Sequence, residues 1–243
     1  MASHLPDRSL AGVPLRDLPG AGSSDATKER LLDAAEELLA ERGFDGMSIR
    51  ALVARAGTSV SSAHYHFGSK LALVSALFEA RVAPVNDLRL ERLDAVVAAS
   101  APDAPALEDV IESFVRPSFE AWRRAEALGR TATPHILAQL HVDRAPRLDE
   151  LKRRLLEPVM DRYLAVVGRI LTDHDPTTLR VGLGYVLGML LHTTGGHLAP
   201  TLEAAGLSHP RGEESLLRHL IAFAAAGLRS GGAVAGRGAE GAS

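Results

Sequence analysis

Apolar residues recur along this chain at the spacing of one face of a helix, and their interruptions divide it into segments. Leu31, Leu32, Ala35, Leu38 and Leu39 form the buried stripe of a first helix that starts at residue 25 or 27 and ends at Gly43. Ile49, Leu52 and Val53 give a second, short helix one apolar face, with Ser48 as its N-cap. Ala56-Gly57-Thr58 breaks the pattern, with Gly57 at a left-handed helix end, and Ser59 can cap a third helix that Phe67 and Gly68 terminate. That third helix, Val60-Ser61-Ser62-Ala63-His64, has little to bury, so it is expected to present side chains outward. Phe44 and Ile49 are expected to close a small core with Phe67, Leu71 and Val74.

From residue 69 the pattern Leu71, Val74, Leu77, Phe78, Val82 predicts a long connecting helix toward residue 98, kinked or broken at Pro84. Ala101-Pro102-Asp103-Ala104-Pro105 is punctuation. Further helices are expected over residues 107–127, 133–142, 146–171, 179–196 and 213–228, with possible kinks at Pro117 and Pro158 and a start at Asp175 or Thr177. Residues 1–24 carry three prolines and three glycines without helical periodicity, and no signal-peptide pattern, so they read as a disordered arm. Arg8 and Arg16 there either reach a minor groove or, beside Asp7 and Asp17, belong to a floppy tail. Residues 230–243 read as a disordered Gly/Ala tail.

The length, 243 residues, suits two helical domains sharing an interface. The fold class expected is all-α: a three-helix helix-turn-helix domain over residues 25–75, then a larger helical domain over residues 76–229. The chain is 46% hydrophobic but only 4% aromatic, so its cores must be built from Ala, Leu and Val. It has no cysteine, which excludes disulfides, thiolate catalysis and Cys-type zinc sites and fits a cytoplasmic location. No apolar run is long enough to cross a bilayer.

Two short helices around a tight turn, the second sparsely apolar, are the pattern that places a helix in the major groove of DNA. Between Gly46 and Phe78 there is no Asp or Glu, while Arg50, Arg55 and Lys70 are present, in a chain of net charge -3. That local imbalance suits a phosphate backbone, or is simply a solvated basic face. The exposed face of the first helix, with Glu29, Asp33, Glu36 and Glu37, is expected to point away from DNA.

At these residues the sequence resembles the TetR family of bacterial transcriptional regulators. The likeness begins at Thr27-Lys28-Glu29-Arg30-Leu31-Leu32-Asp33-Ala34-Ala35, continues through Glu41-Arg42-Gly43-Phe44, and is tightest at Ala56-Gly57-Thr58-Ser59 and Tyr65-His66-Phe67-Gly68-Ser69-Lys70. It covers under a quarter of the chain. Where many relatives carry Leu-Tyr, this chain has Ala63-His64, and Leu71-Ala72 stand where acidic residues usually follow Ser69-Lys70. The resemblance implies a dimeric, all-helical repressor with an N-terminal DNA-binding domain and a C-terminal effector-binding and dimerisation domain. Its partners would be a double-stranded, pseudo-palindromic operator, a small-molecule effector and a second copy of itself.

On this reading Ser59, Val60, Ser61, Ser62 and His64 face base edges, while Ser48, Arg50, Tyr65, His66 and Lys70 hold phosphates. Gly182, Gly184 and Gly188 permit close helix approach beside Leu183, Leu187 and Leu190, so the last two helices form either a dimer bundle or an intrachain core. Phe114, Phe119, Trp122, His135, Gln139, Tyr185, Met189 and His192 are the aromatic and polar residues that would line an effector pocket, or else serve as core. The ten histidines include no pair spaced to chelate from one helix face, there is no nucleotide-binding loop or catalytic triad pattern, and no metal or cofactor is expected. Two other readings stay open: a helical ligand- or protein-binding module that does not read DNA, and an all-α enzyme.

Overall fold

The computed structural model describes residues 22–130, 148–195, 198–204 and 210–239, and every regular element among them is a helix. These are α1 (Gly22–Gly46), α2 (Ile49–Ala56), α3 (Val60–Phe67), α4 (Lys70–Ser100), α5 (Leu107–Ala127), α6 (Asp149–Ile170), α7 (Pro176–Thr194), α8 (Ala199–Ala204) and α9 (Pro210–Ala239). The arm before residue 22 and the helix expected over residues 133–142 lie outside the described residues.

Local signals are met where they were expected. Gly43, at φ 66°, interrupts α1 one turn before its end. Asp175 caps α7 by accepting from Thr177 and Thr178 N–H, with Pro176 in the first turn. Pro84, by contrast, neither breaks nor ends α4, which is continuous from Lys70 to Ser100. Pro84 is exposed, and so is Ala80, whose carbonyl the proline leaves without its usual donor, so water can satisfy it. Nor does the last helix stop at residue 229. Gly231 lies against the α6–α7 turn, where a methyl group would come within 3.2 Å of Thr178, and α9 runs on to Ala239.

Two apolar cores result, and α4 passes through both. The first, the head, joins Leu31, Leu38, Leu52, Leu73, Leu77 and Phe78 of α1, α2 and α4. Leu148, at the N-cap of α6, and Leu151 and Leu155 within it also belong to it, a contribution from far along the chain. The second core takes Leu93 from α4 and packs it with α5, α6, α7 and α9. At a 1.5 Å rise per residue, α4 is about 46 Å long, enough to serve as a shaft between the two.

Polar groups fill the waist between the cores. Arg89 is buried and donates to Phe114 O at 2.9 Å, Asn86 Oδ1 at 2.9 Å and Ser118 Oγ at 2.7 Å, with its guanidinium 4.3 Å from the Phe114 ring centre. Asn86 donates to Leu155 O at 2.7 Å, and the Tyr163 hydroxyl donates to Arg89 O at 3.0 Å. Every partner there is neutral, so burial pulls Arg89 down to about 10, although the neighbouring Tyr163 opposes this. Burial likewise pushes the Tyr163 phenol up to about 12, against the pull of Ser113 and Arg89.

The carboxylates of α1 are not the free acidic face that the sequence suggested. Arg81 of α4 donates to Glu36 Oε2 at 2.9 Å and to Asp33 Oδ1 at 2.8 Å, and Glu29 lies 3.7 Å away. Glu36 is only 2% exposed, so it is a buried ion-pair partner and not a solvated residue. Glu37 does remain exposed. Helical periodicity placed these residues on one face correctly but could not reveal that α4 supplies a cation to it.

The folded pKa of Tyr163 lies above the ordinary phenol value near 10, so its share of stability is whole below pH 10 and is lost as pH rises through 12. Arg89 acts oppositely, its burial penalty easing above pH 10. We expect Tyr163→Phe to cost about 1–2 kcal/mol at pH 7 through its lost hydrogen bonds. Between pH 9 and pH 11.5 the variant should lose about 2 kcal/mol less than the parent. Urea unfolding at the two pH values checks this, and parallel losses in both proteins would contradict it.

Candidate nucleic-acid interface

The α2–turn–α3 unit is built from caps. Ala51 N–H donates to the Ser48 hydroxyl at 3.2 Å to start α2. Gly57 ends it in the left-handed region at φ 60°, ψ 43°, its N–H reaching Val53 O. Thr58 N–H also donates to Val53 O, at 3.0 Å, which tightens the turn. The Ser59 hydroxyl then accepts from Ser62 N–H at 3.1 Å, starting α3, and lies 2.9 Å from Ser61 Oγ. Gly68, at φ 70°, closes α3 onto His64 O, and Ser69 caps α4 by accepting from Ala72 N–H at 3.1 Å. Five residues chosen for backbone chemistry thus fix both ends of two eight-residue helices and the start of α4.

Of α3, Ala63 alone is buried. Val60 is 43% and Tyr65 84% exposed, and Ser59, Ser61 and His64 are exposed as well, while Ser62 and His66 are half-buried. The helix therefore presents its side chains outward, as its composition suggests. The His64 ring has one nitrogen, Nδ1, 2.9 Å from Gly68 O, which orients it along the helix toward its C-terminal end. Tyr65 and His66 make an edge-on ring pair at 5.3 Å.

The basic residues divide differently from the expectation. Arg50 is exposed and forms no ion pair among the described residues. Lys70 sits with Nζ 4.5 Å from the Phe44 ring centre, beside the Ser69 cap. Arg55, counted with them from sequence, is held instead by α1. It donates to both Glu41 oxygens, at 2.6 and 3.0 Å, and lies 3.4 Å from Glu37. That hydrogen bond raises the Arg55 pKa and holds Glu41 below the usual carboxylate range. Arg55 is therefore a strut between α1 and α2, with its charge already matched. Leu71, expected in the core, is 38% exposed at the start of α4, because Leu73 and Val74 take the inward positions of that turn.

Of the eight residues expected to line an effector pocket, the six described ones fall in two places. Phe114 and Phe119 are 3% and 4% exposed core side chains, and Trp122 makes an edge-on contact with Phe119 at 5.9 Å. Tyr185, Met189 and His192 lie instead on the outer face of α7, where Tyr185 is 70% exposed. His135 and Gln139 are outside the described residues. The α7 trio borders an open, apolar groove of about 710 Å³ between α7 and α9, floored by Gly182, Gly184, Gly188 and Gly227. Phe223, 67% exposed, and Val181, 48% exposed, lie on the same two helices. Phe223 was missed from sequence: it lies at the edge of the Leu216, Leu217, Leu220, Ile221, Ala224 stripe, two turns after Leu216, where periodicity does not fix whether it is buried. Among the described residues no cluster of three metal-ligating side chains occurs, and no helix is long and apolar enough to cross a membrane.

Comparison with known proteins places this geometry. Residues 31–77 match the family model described as bacterial regulatory proteins, tetR family, and residues 112–227 match the tetracyclin repressor-like C-terminal domain. The chain is 32% identical over 98 residues to the tetracycline repressor protein class D of Escherichia coli, a match covering 40% of this chain and 38% of that protein. It is 28% identical over 104 residues to the HTH-type transcriptional regulator BetI of Rhizobium meliloti, covering 43% of this chain and 47% of the relative. The matched stretch thus spans less than half the length of these relatives. Among solved structures, the fatty acid degradation regulator FadR from Bacillus halodurans superposes with a TM-score of 0.57 at 13% identity, over 84% of this chain and 95% of that one. A transcriptional regulator from Rhodococcus sp. Rha1 superposes with a TM-score of 0.51 at 24% identity, over 84% of this chain and 96% of that one. At such identities the structural likeness speaks for the fold alone. A capped, outward-facing helix-turn-helix on a second helical domain, matched by family patterns in both parts, makes this chain a member of the TetR family of DNA-binding transcriptional regulators.

Proposed function

We propose that this protein is a homodimeric, ligand-responsive repressor that reads a pseudo-palindromic DNA operator through α3 and works in the cytoplasm, where its operator lies. The observation that carries the reading is α3 itself: an eight-residue helix fixed by caps at both ends that buries only Ala63. A helix so little engaged by its own protein contributes almost nothing to the core, and its exposed hydroxyl and imidazole groups suit base edges. Ser59, Val60, Ser61, Ser62 and His64 read bases in this proposal. Ser48, Arg50, Tyr65, His66 and Lys70 position the reader on phosphates. A serine hydroxyl that accepts a cap bond still has its own proton to donate, so capping and phosphate contact are compatible at Ser48.

The dimer forms through α7 and α9. Exposed Val181, Tyr185 and Phe223 flank the glycine-floored groove, and an isologous contact buries the same apolar patch on both copies. The effector acts on the second helical domain, whose core shares α4 with the head. Binding there changes the separation of the two α3 helices and favours a state unable to span both half-sites.

Selection of binding sites from random duplex DNA with the full chain, at stated salt, tests the reading. An enriched pseudo-palindrome supports it, and binding without enrichment would sink it. Against that site, Lys70→Ala should weaken binding to all duplexes alike and flatten the log–log salt dependence by about one. His64→Ala or Ser61→Ala should instead change preference at individual positions by about 1–3 kcal/mol. Equal loss on every sequence from the α3 variants would contradict their assignment. Phe223→Glu should give a monomer in analytical ultracentrifugation and reduce operator affinity by about 100-fold or more, since two weakly held half-sites no longer act together. A Phe223→Glu protein that stays dimeric removes α7 and α9 as the interface.

A further inference from the structure

Residues on either side of residues 131–147 both touch the head. On one side Leu148, with Leu151, lies in the head core. On the other, Arg130 reaches α1: its Nη2 donates to Asp33 Oδ2 at 3.5 Å and lies 3.1 Å from Oδ1, the oxygen that accepts from Arg81 Nη2 at 2.8 Å. One carboxylate therefore bridges two guanidinium groups, one on the α4 shaft and one just past the end of α5.

Arg130 is not a loosely placed side chain. Gly129 adopts φ 70°, Gly129 N–H donates to Glu126 O, and Arg130 N–H donates back to Ala125 O at 2.8 Å. This is the six-to-one closure of a helix ended by a left-handed glycine, and it ties the Arg130 backbone to the last turn of α5. A shift of that turn must carry Arg130 with it. Glu29, Asp33 and Glu36 place three carboxylates around Arg81, and Arg130 adds a second guanidinium at Asp33.

We propose that Arg130 is a positioning residue for DNA reading: its bridge to Asp33 holds α1, and with it the helix-turn-helix, at a fixed angle on α4, and movement of the end of α5 releases it. The pair is half-exposed, which suits a latch that must open, whereas the Arg81–Glu36 pair beneath it is buried and permanent. Arg154 of α6, paired with Glu79 of α4, is a second ionic contact of the larger domain with the head end of the shaft, but it does not touch α1. For its DNA readout the proposal rests on the regulator reading above; its structural readout does not.

Hydrogen–deuterium exchange on the free, full-length protein provides the structural readout. Arg130→Gln should leave the melting temperature nearly unchanged, raise exchange in α1 by roughly 2- to 10-fold, and leave α7 and α9 alone. Asp33→Asn should raise α1 exchange as well, and adding Arg130→Gln to it should produce no further increase. Gly129→Ala keeps every charge but strains the left-handed turn, so it should reproduce part of the Arg130→Gln effect. Unchanged α1 exchange, a uniform increase across all helices, or additive single-variant effects would overturn the latch. On the selected operator, Arg130→Gln should change affinity by a similar factor with base preference retained. Faster α1 exchange with unaltered affinity would overturn the link to DNA reading, while absence of any sequence-specific DNA binding by the parent would be a failure of the regulator reading and not of the latch.

Discussion

A helix that buries one alanine cannot position itself, and the architecture around α3 answers that constraint. The head must orient α3 rigidly through elements that do have something to bury. The caps at Ser59 and Gly68 fix its length, α2 fixes its entry through Gly57, and α4 leaves from its exit through Ser69. Arg55 ties α2 to α1, and Arg81 ties α1 to α4. Each strut is an arginine with a carboxylate from α1, so Glu41, Asp33 and Glu36 help hold α3 in place.

The same shaft makes the two domains one mechanical unit. Val82 of α4 lies in the head core and Leu93 in the second, separated by the Asn86–Arg89–Tyr163 network. Burying Arg89 among neutral partners costs solvation that hydrogen bonds only partly return, as its lowered pKa records. In exchange the network fixes how α4, α5 and α6 register at the waist, where the leucines of α6 cross into the head. A change in the larger domain therefore has a solid path to α3, through packed side chains and not along the chain.

Legibility from sequence followed the range of each interaction. Caps are local, and Ser48, Gly57, Ser59, Gly68 and Asp175 were all readable, as was the sparse apolar content of α3. Pairings between distant helices were not: Glu36 and Arg55 look like surface charges until α4 and α1 are seen beside them. Leu71 was placed inward because periodicity cannot choose between neighbouring apolar positions when Leu71, Leu73 and Val74 all compete for one face. Tyr185 was grouped with Phe114 and Phe119 because α7 is apolar nearly all round, which leaves its outward direction undetermined by pattern alone. Pro84 was expected to kink or break α4, but with a well-packed core on either side the helix continues through it at an exposed position.

The absence of cysteine from the chain allows a direct test of where α3 lies. A Ser61→Cys protein carrying a DNA-cleaving iron chelate on that single thiol should cut the selected operator at two places about one helical turn apart, or a multiple of it, each within a major groove. The same chelate on a cysteine at Ser230, on α9, should leave the duplex intact. Cleavage from position 230 but not from 61, or no localised cleavage from either, would show that α3 is not the DNA reader.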